Sequence, residues 1–243
     1  VFGAGTIGRA AEAVKVKIRR LAAHLLQTGV DQVTLSEGRV HLIGHPDKGM
    51  PLADLAGAAY FADATHPPDF DPALEATAAF DPADVVLANG GHAAIVEIDI
   101  ETCMVRVEKM FAVEDCGRMI NPMIVEGQIR GGVAQAIGMT LLEELVHDGE
   151  GQLVTTTLMD YLLPTSIDVP DIKIAHLETP SDLVPGGVKG MGESAMISAP
   201  AAILGAVNDA LALVDASLED FPASPQRIFD ALERAAAKNA IPV

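Results

Sequence analysis

Hydrophobic residues recur every three or four positions in three stretches of the chain: 6–28, 127–146 and the stretch that follows Ser198. This period places apolar side chains on one face of a helix. Gly29 is typical of the residue after a helix end, and Ser198 and Pro200 are typical of a helix start. The pattern therefore predicts three helices, each with one apolar face.

Alternation of apolar and polar residues predicts two hairpins. The first covers 33–42 and the second covers 93–114, with its turn at 101–103. We also expect strands within 152–178. In the second strand of the 93–114 hairpin, after the turn at 101–103, the side chains expected on one face are Val105, Val107, Phe111 and Val113. Because helices and antiparallel hairpins alternate irregularly, the sequence favours the α+β class, with mixed or antiparallel sheets and packed helices, over a doubly wound sheet.

With 243 residues the chain has room for one large domain or two small ones. Residues 1–43 contain the first helix and hairpin, and 91–243 are expected to form the core. Between them, 44–90 are rich in Pro, Asp, Gly and Ala and are interpreted as a variable excursion with a short helix near 51–60. The first residue is Val1 rather than Met, so we expect a fragment or a processed chain.

Composition narrows the function classes. The formal net charge of −18 argues against nucleic acid or an anionic membrane surface as a partner. No uninterrupted apolar run reaches the roughly 18 residues of a membrane span, so no span is expected. Two cysteines, Cys103 and Cys116, are too few for a disulfide framework or an iron–sulfur cluster. A reduced, cytoplasmic setting is therefore expected.

Three motifs have weak contexts. The segment Gly3–Gly8 reads GAGTIG and matches the dinucleotide fingerprint G-x-G-x-x-G, but only two residues precede it and its helix leads into a hairpin. His41 and His45 lie across a turn with no third ligand nearby, which disfavours a zinc site. Ser194 lacks the G-x-S-x-G turn of a serine hydrolase.

Two glycine-rich stretches carry more information. The helix that begins at Gly127 reads GQIRGGVAQAIG, and each glycine inside it costs about 1 kcal/mol relative to alanine. This cost suggests close approach of another backbone or of a flat ligand, with Gln128 and Gln135 offering amides on one side. Further on, 188–195 read VKGMGESA and set Glu193 in a loop with few side chains. That carboxylate suits a turn residue, a helix cap or a general base.

Several motifs in order extend this picture. They are DCGRMINPMIVEGQIRGGVAQAIG from Asp115, then LLEEL, MDYLLPT, GGVKGMGES and APAAILGAVNDAL. In this order they resemble the C-terminal part of the molybdenum-cofactor-binding large subunit of the xanthine dehydrogenase and aldehyde oxidase family. Within it, the chain is similar to bacterial hydroxylases of the carbon monoxide dehydrogenase type. The resemblance is dense over 91–230, looser over 1–30 and weak over 44–84.

The resemblance implies a site and an activity. Glu193 matches the family's active-site base, and Gln128 matches a residue that contacts the cofactor. The loop from Lys189 through Gly190 to Gly192 is implied to lie close to the cofactor, with no metal ligand from this chain. The implied cofactor is molybdenum–molybdopterin in its cytosine dinucleotide form. The implied reaction is oxidation of an aldehyde, an N-heterocycle or carbon monoxide with oxygen derived from water.

The same resemblance implies partners. Electrons would leave through 2Fe-2S centres and FAD, which two cysteines cannot provide, so an iron–sulfur subunit and a flavin subunit are expected. The N-terminal half of the molybdenum subunit would complete the cofactor site, and the isolated chain is expected to be inactive. Thr102-Cys103 stands where the family usually has Thr-Gly, and relatives vary at Ser194-Ala195. A non-catalytic assembly or binding module of the same fold remains an alternative, and a Rossmann-type NAD dehydrogenase ranks third.

Overall fold

A computed structural model describes residues 1–239. The chain divides into two compact units, one spanning Val1–Ala83 and one that begins at Asp84. Each unit combines helices with a three-stranded sheet. The α+β class expected from the sequence is therefore confirmed.

The first unit contains a sheet and two α-helices within the described residues. Its elements are α1 (Phe2–Leu25), β1 (Val33–Ser36), β2 (Arg39–Leu42), β3 (His45–Pro51) and α2 (Leu52–Phe61). The antiparallel strands lie in the order β1-β2-β3, so the expected hairpin is present and gains a third strand from the expected excursion. Its core is formed by one face of α1, by the sheet and by α2, and includes Ile18, Leu21, Ala22, Val33, Val40 and Leu55.

Two weak motifs have clear structural roles in this unit. GAGTIG lies inside α1, which begins at Phe2, so it is not the turn between a strand and a helix that a dinucleotide site requires. His41 is buried, and its two ring nitrogens contact the Ser36 hydroxyl at 2.7 Å and the Leu42 carbonyl at 3.0 Å. These contacts satisfy the imidazole within the protein.

The second unit contains a mixed sheet covered by helices. Its elements are β4 (Asn89–Asp99), β5 (Met104–Asp115), α3 (Pro122–Ile137), β6 (Ile172–Leu177), α4 (Ser194–Leu211) and α5 (Pro225–Asn239). β4 and β5 are antiparallel and β6 runs parallel to β5, in the order β4-β5-β6. α4 packs against β4 and α3. The largest buried core side chains are Met110, Ile129, Ile137, Ile203, Leu211 and Ile228.

A β-bulge in β5 changes which residues face the core. Ile95 pairs with Lys109 whereas Val96 pairs with Val107, so Glu108 has no partner in the ladder. One extra residue reverses the side-chain alternation beyond it. The expectation that Phe111 and Val113 share a face with Val107 is therefore wrong. Beyond the bulge the buried positions of this face are Met110, Ala112 and Glu114.

Three predicted boundaries also shift. α3 begins at Pro122, where the Asn121 side chain accepts a hydrogen bond from the Ile124 N–H at 3.3 Å, and it ends in a π-helical turn, Gly138–Leu142. α4 begins at Ser194, and Pro200 lies inside it rather than at its start. Within 152–178 only Ile172–Leu177 is a strand, so the expectation of several strands there is wrong.

α4 and the 3₁₀ turn that follows it, Ser194–Val214, are long and apolar enough to cross a membrane by length and composition. The same helix packs on the sheet and on α3. Its buried side chains belong to the core of the second unit and are Ala195, Ala199, Ile203, Val207 and Leu211. One face of this helix therefore packs into the core of the second unit.

The contact between α3 and α4 depends on Gly132. A Cβ atom there would lie 2.9 Å from the Cβ of Ala195 and 3.1 Å from the Met196 nitrogen, whereas a Cβ at the neighbouring Gly131 would meet nothing within 4 Å. We predict that Gly132→Ala lowers the free energy of unfolding by about 1–3 kcal/mol through overpacking. Gly131→Ala, the matched control, should raise it by up to about 1 kcal/mol through helix propensity. Equal effects of the two substitutions in chemical denaturation would contradict this.

Candidate active site

Glu193 lies at the N-cap position of α4 and is exposed. Its backbone is non-helical, with φ −125° and ψ 10°, and its side chain makes no capping hydrogen bond. Within the described part of the chain, no hydrogen bond or ion pair of its carboxylate is found. The carboxylate is therefore available to a ligand, and it does not serve as a helix cap.

Gln128 and the Glu193 loop are brought together by a direct contact. The Gln128 amide nitrogen donates to the Gly192 carbonyl at 2.9 Å. Gln128 lies on the exposed side of α3, and Gly192 precedes Glu193 in the chain. Two residues that are far apart in the sequence thus meet at one edge of the second unit.

Lys189 is engaged inside the protein. Its ammonium group donates to the Thr179 hydroxyl at 2.8 Å and lies 3.4 Å from Asp115 Oδ2, and its side chain is only 10% exposed. Its backbone N–H donates to the Cys116 carbonyl at 2.8 Å. Lys189 therefore anchors the loop from within, and the exposed part of the loop is left to Gly190 and Gly192.

Asp115 collects the hydrogen bonds that hold this loop. Its Oδ1 accepts from the N–H groups of Gly117 at 2.8 Å and Thr179 at 3.1 Å, and its Oδ2 accepts from the Thr179 hydroxyl. Burial alone would raise the pKa of Asp115, but these hydrogen bonds, together with Lys189, outweigh it and lower the pKa to about 2. The carboxylate thus stays ionised in the folded protein.

Gly117 allows the chain to pass close to the loop. Its φ is +64°, and a Cβ atom there would lie 2.1 Å from the Gly187 carbonyl oxygen. That carbonyl accepts hydrogen bonds from the N–H groups of Arg118 and Ser181. Only glycine fits this crossing, which explains the Asp-Cys-Gly of the first motif.

A second buried carboxylate, Glu114, lies under the first turn of α4. Its Oε2 accepts from the Ser194 hydroxyl at 2.7 Å, and its Oε1 lies 3.4 Å from His92 Nε2. Burial raises the pKa of Glu114 and lowers the pKa of His92. Neither residue stands out in the sequence pattern, and the bulge at Glu108 that turns Glu114 inward leaves no mark in the periodicity.

The exposed surface beside Glu193 suits a large, flat ligand with many hydrogen-bonding groups. A Cβ atom at Gly127 or Gly131 would meet nothing within 4 Å, so this face of α3 is open and bare. Gln128 and Gln135 are exposed on the same helix and supply neutral amides. A molybdopterin cofactor, which is rich in donors and acceptors, fits this donor set.

A sequence profile described as "Molybdopterin cofactor-binding domain" matches residues 1–170. The chain belongs to this family. The chain spans less than a third of the length of the curated relatives that it matches. It is 47% identical over 228 residues to the nicotine 6-hydroxylase large subunit of Paenarthrobacter nicotinovorans, covering 94% of this chain and 28% of that one.

Other relatives confirm the resemblance to the xanthine dehydrogenase family. The carbon monoxide dehydrogenase large chain of Hydrogenophaga pseudoflava is 34% identical, over 93% of this chain and 28% of that one. The crystal structure of quinoline 2-oxidoreductase from Pseudomonas putida 86 matches with a TM-score of 0.86 and 66% identity, covering 96% of this chain and 30% of that one. A putative xanthine dehydrogenase molybdenum-binding subunit of Escherichia coli is 31% identical, over 91% of this chain and 29% of that one.

Asp115 generates a prediction about stability. Because its pKa falls from an ordinary 3.8 to about 2 on folding, it contributes about 2 kcal/mol that is present above pH 3.8 and lost as the pH falls towards 2. Asp115→Asn should remove this contribution at neutral pH and flatten the stability profile of the chain in that window. The control is Asp182→Asn, at an exposed aspartate in the loop that also contains Thr179. It should change the free energy of unfolding by less than about 0.5 kcal/mol. Urea denaturation between pH 2 and 7 tests both, and a steep acid limb that persists in Asp115→Asn would contradict the assignment.

Proposed function

We propose that this chain is the C-terminal part of the large subunit of a molybdenum hydroxylase, with Glu193 as its general base. The observation that carries the proposal is the position of Glu193: an exposed carboxylate without a capping bond, next to the Gly192 carbonyl that Gln128 holds. A general base must be ionised and within reach of the proton that it accepts. Gly190 and Gly192, which precede this carboxylate in the loop, and the open face of α3 at Gly127 and Gly131 support close approach of a cofactor and a substrate.

The other residues of the site have supporting roles in this proposal. When bound, the molybdenum cofactor supplies the acceptor for the substrate's electrons and the activation of oxygen derived from water. The side-chain amide of Gln128 donates an N–H to the Gly192 carbonyl. The side-chain oxygen of Gln128 can therefore accept a hydrogen bond from the cofactor. Gly190 and Gly192 offer bare backbone to the cofactor, and Lys189 holds their loop through Asp115. Glu193 takes up a proton at a carboxylate oxygen as the substrate is oxidised.

The proposed partners and the proposed form of the cofactor are those that the family resemblance implies. We propose the cytosine dinucleotide form of the cofactor, an iron–sulfur subunit, a flavin subunit and the N-terminal half of the molybdenum subunit. Several relatives are described as large chains or subunits of a complex, which supports this organisation. Cys103 and Cys116 are both buried and free, in keeping with a reduced, cytoplasmic setting.

Among the three substrate classes, we propose an aromatic N-heterocycle. The chain is 66% identical to the quinoline 2-oxidoreductase structure and 47% identical to the nicotine 6-hydroxylase large subunit. Identity to two carbon monoxide dehydrogenase large chains is 33% and 34%. The higher identity to enzymes whose names contain heterocyclic substrates is the observation that supports this choice.

Glu193→Gln tests the general base in the assembled enzyme that contains this chain. The amide keeps the size of the side chain but cannot accept the proton, so kcat should fall at least about a hundredfold while molybdenum content stays at the wild-type level. Glu150→Gln, at an exposed glutamate in a turn, is the control and should leave both unchanged. Wild-type turnover in a fully loaded Glu193→Gln enzyme would return the chain to the alternative of a non-catalytic assembly module.

Substrate choice is tested separately. Purified enzyme supplied with an artificial electron acceptor should oxidise quinoline or a nicotine-type ring with a higher kcat/KM than an aromatic aldehyde. It should not oxidise carbon monoxide. Steady-state rates with the four compounds decide the matter, and a preference for the aldehyde or for carbon monoxide would refute the choice of substrate without affecting the role of Glu193.

A further inference from the structure

The residues on either side of Glu193 are held by two separate side chains. Before it, Gly192 is held through its carbonyl oxygen by Gln128. After it, Ser194 is held through its hydroxyl by the buried carboxylate of Glu114, at 2.7 Å. Since Glu193 itself makes no capping hydrogen bond, these two contacts are the side-chain ties of the turn that carries it.

The pocket for Glu114 is built by its neighbours on the sheet. Glu114 is 1% exposed and pairs across the sheet with Gly90 on β4 and His176 on β6. A Cβ atom at Gly90 would lie 2.7–2.8 Å from the Glu114 carboxyl group, so the missing side chain makes the space. The Glu114 carboxyl group therefore occupies a space that exists because position 90 has no side chain.

His92 occupies the other side of the carboxyl group. Its side chain and that of Glu114 are both fully buried, with 3.4 Å between Nε2 and Oε1, and its Nδ1 lies 2.7 Å from the Ser198 hydroxyl. In the described part of the chain, neither Nε2 nor Oε1 has another hydrogen-bond partner, and both ring nitrogens of His176 are also buried and unpaired. A proton between these two facing atoms satisfies both of them, either at Oε1 of a neutral Glu114 or at Nε2 of a neutral His92.

We propose that Glu114 is a positioning residue for Glu193: through the Ser194 hydroxyl it fixes the first turn of α4 and so the direction of the neighbouring carboxylate. The inference rests on the proposed role of Glu193 as the general base. Protonated, Glu114 accepts from Ser194 at Oε2 and donates to His92 at Oε1. The raised pKa of Glu114 and the lowered pKa of His92, both caused by burial, agree with this neutral pair.

The neutral acid has a close structural substitute. A glutamine amide offers one carbonyl acceptor and one N–H donor in the same places, whereas alanine offers neither. Glu114→Gln should therefore preserve the tie to Ser194 and the contact to His92. Glu114→Ala should release the turn, and Ser194→Ala should release it from the other side without emptying the pocket.

The experiment compares these three variants with Glu97→Gln in the assembled enzyme. Glu97 is the matched control because its carboxylate lies on β4 and is 64% exposed. Glu114→Ala and Ser194→Ala should lower kcat about ten- to a hundredfold, as expected for misplacement of a base by about 1 Å, with KM and molybdenum content unchanged. Hydrogen–deuterium exchange in a peptide covering 190–198 should become faster in these two variants only. Glu114→Gln and Glu97→Gln should resemble the wild type in both measurements.

Several results would overturn the inference. Unchanged kcat and unchanged exchange in Ser194→Ala would remove the positioning role, and this variant decides the matter if Glu114→Ala fails to fold. A Glu114→Gln enzyme as impaired as Glu114→Ala would remove the neutral-acid assignment. If Glu193→Gln abolishes turnover but Ser194→Ala does not, the proposed function stands and the inference falls. If Glu193→Gln retains turnover, exchange at 190–198 alone decides whether Glu114 holds the turn.

Discussion

Two consecutive carboxyl groups, those of Glu114 and Asp115, are buried at the end of β5, and the oxygen atoms of a buried carboxyl group need hydrogen-bond partners. Asp115 finds them in the segments around Gly117, Thr179 and Lys189, and Glu114 finds the Ser194 hydroxyl. Lys189 and Ser194 lie at the two ends of the glycine loop. The hydrogen bonds made by these two residues at the end of β5 therefore fix both ends of the loop that carries Glu193.

The bulge at Glu108 determines that Glu114 lies on the face of β5 that is covered by α4. Successive side chains on a strand point to opposite faces, so a regular β5 would have turned Glu114 away from α4. With the extra residue, Glu114 follows Met110 and Ala112 on the core face. An irregularity several residues upstream thus decides the surroundings of the candidate base.

The sequence predicts what local periodicity and motif order control. Apolar alternation over 33–42 and 93–114 predicted the two hairpins, and helical periodicity predicted the amphipathic α1. The motifs around Gln128 indicated the family. The structure places Gln128 beside the Glu193 loop. The coil within 152–178 could not be foreseen. There, the Thr157 hydroxyl donates to Asp160 and accepts from the Met159 N–H, and such local hydrogen bonds compete with strand pairing. Glu114 was also beyond reach, because its burial depends on a register shift and on a pocket formed by three strands.

The space at Gly90 ties two distant positions of the sequence to each other. Any side chain at position 90 would collide with the carboxyl group at position 114, and a shorter residue at 114 would leave a void beneath α4. Neither position can change freely while the other stays as it is. In a set of related sequences, glycine at 90 and glutamate at 114 should be inherited as a pair, and a lineage that loses one should carry a compensating change at the other.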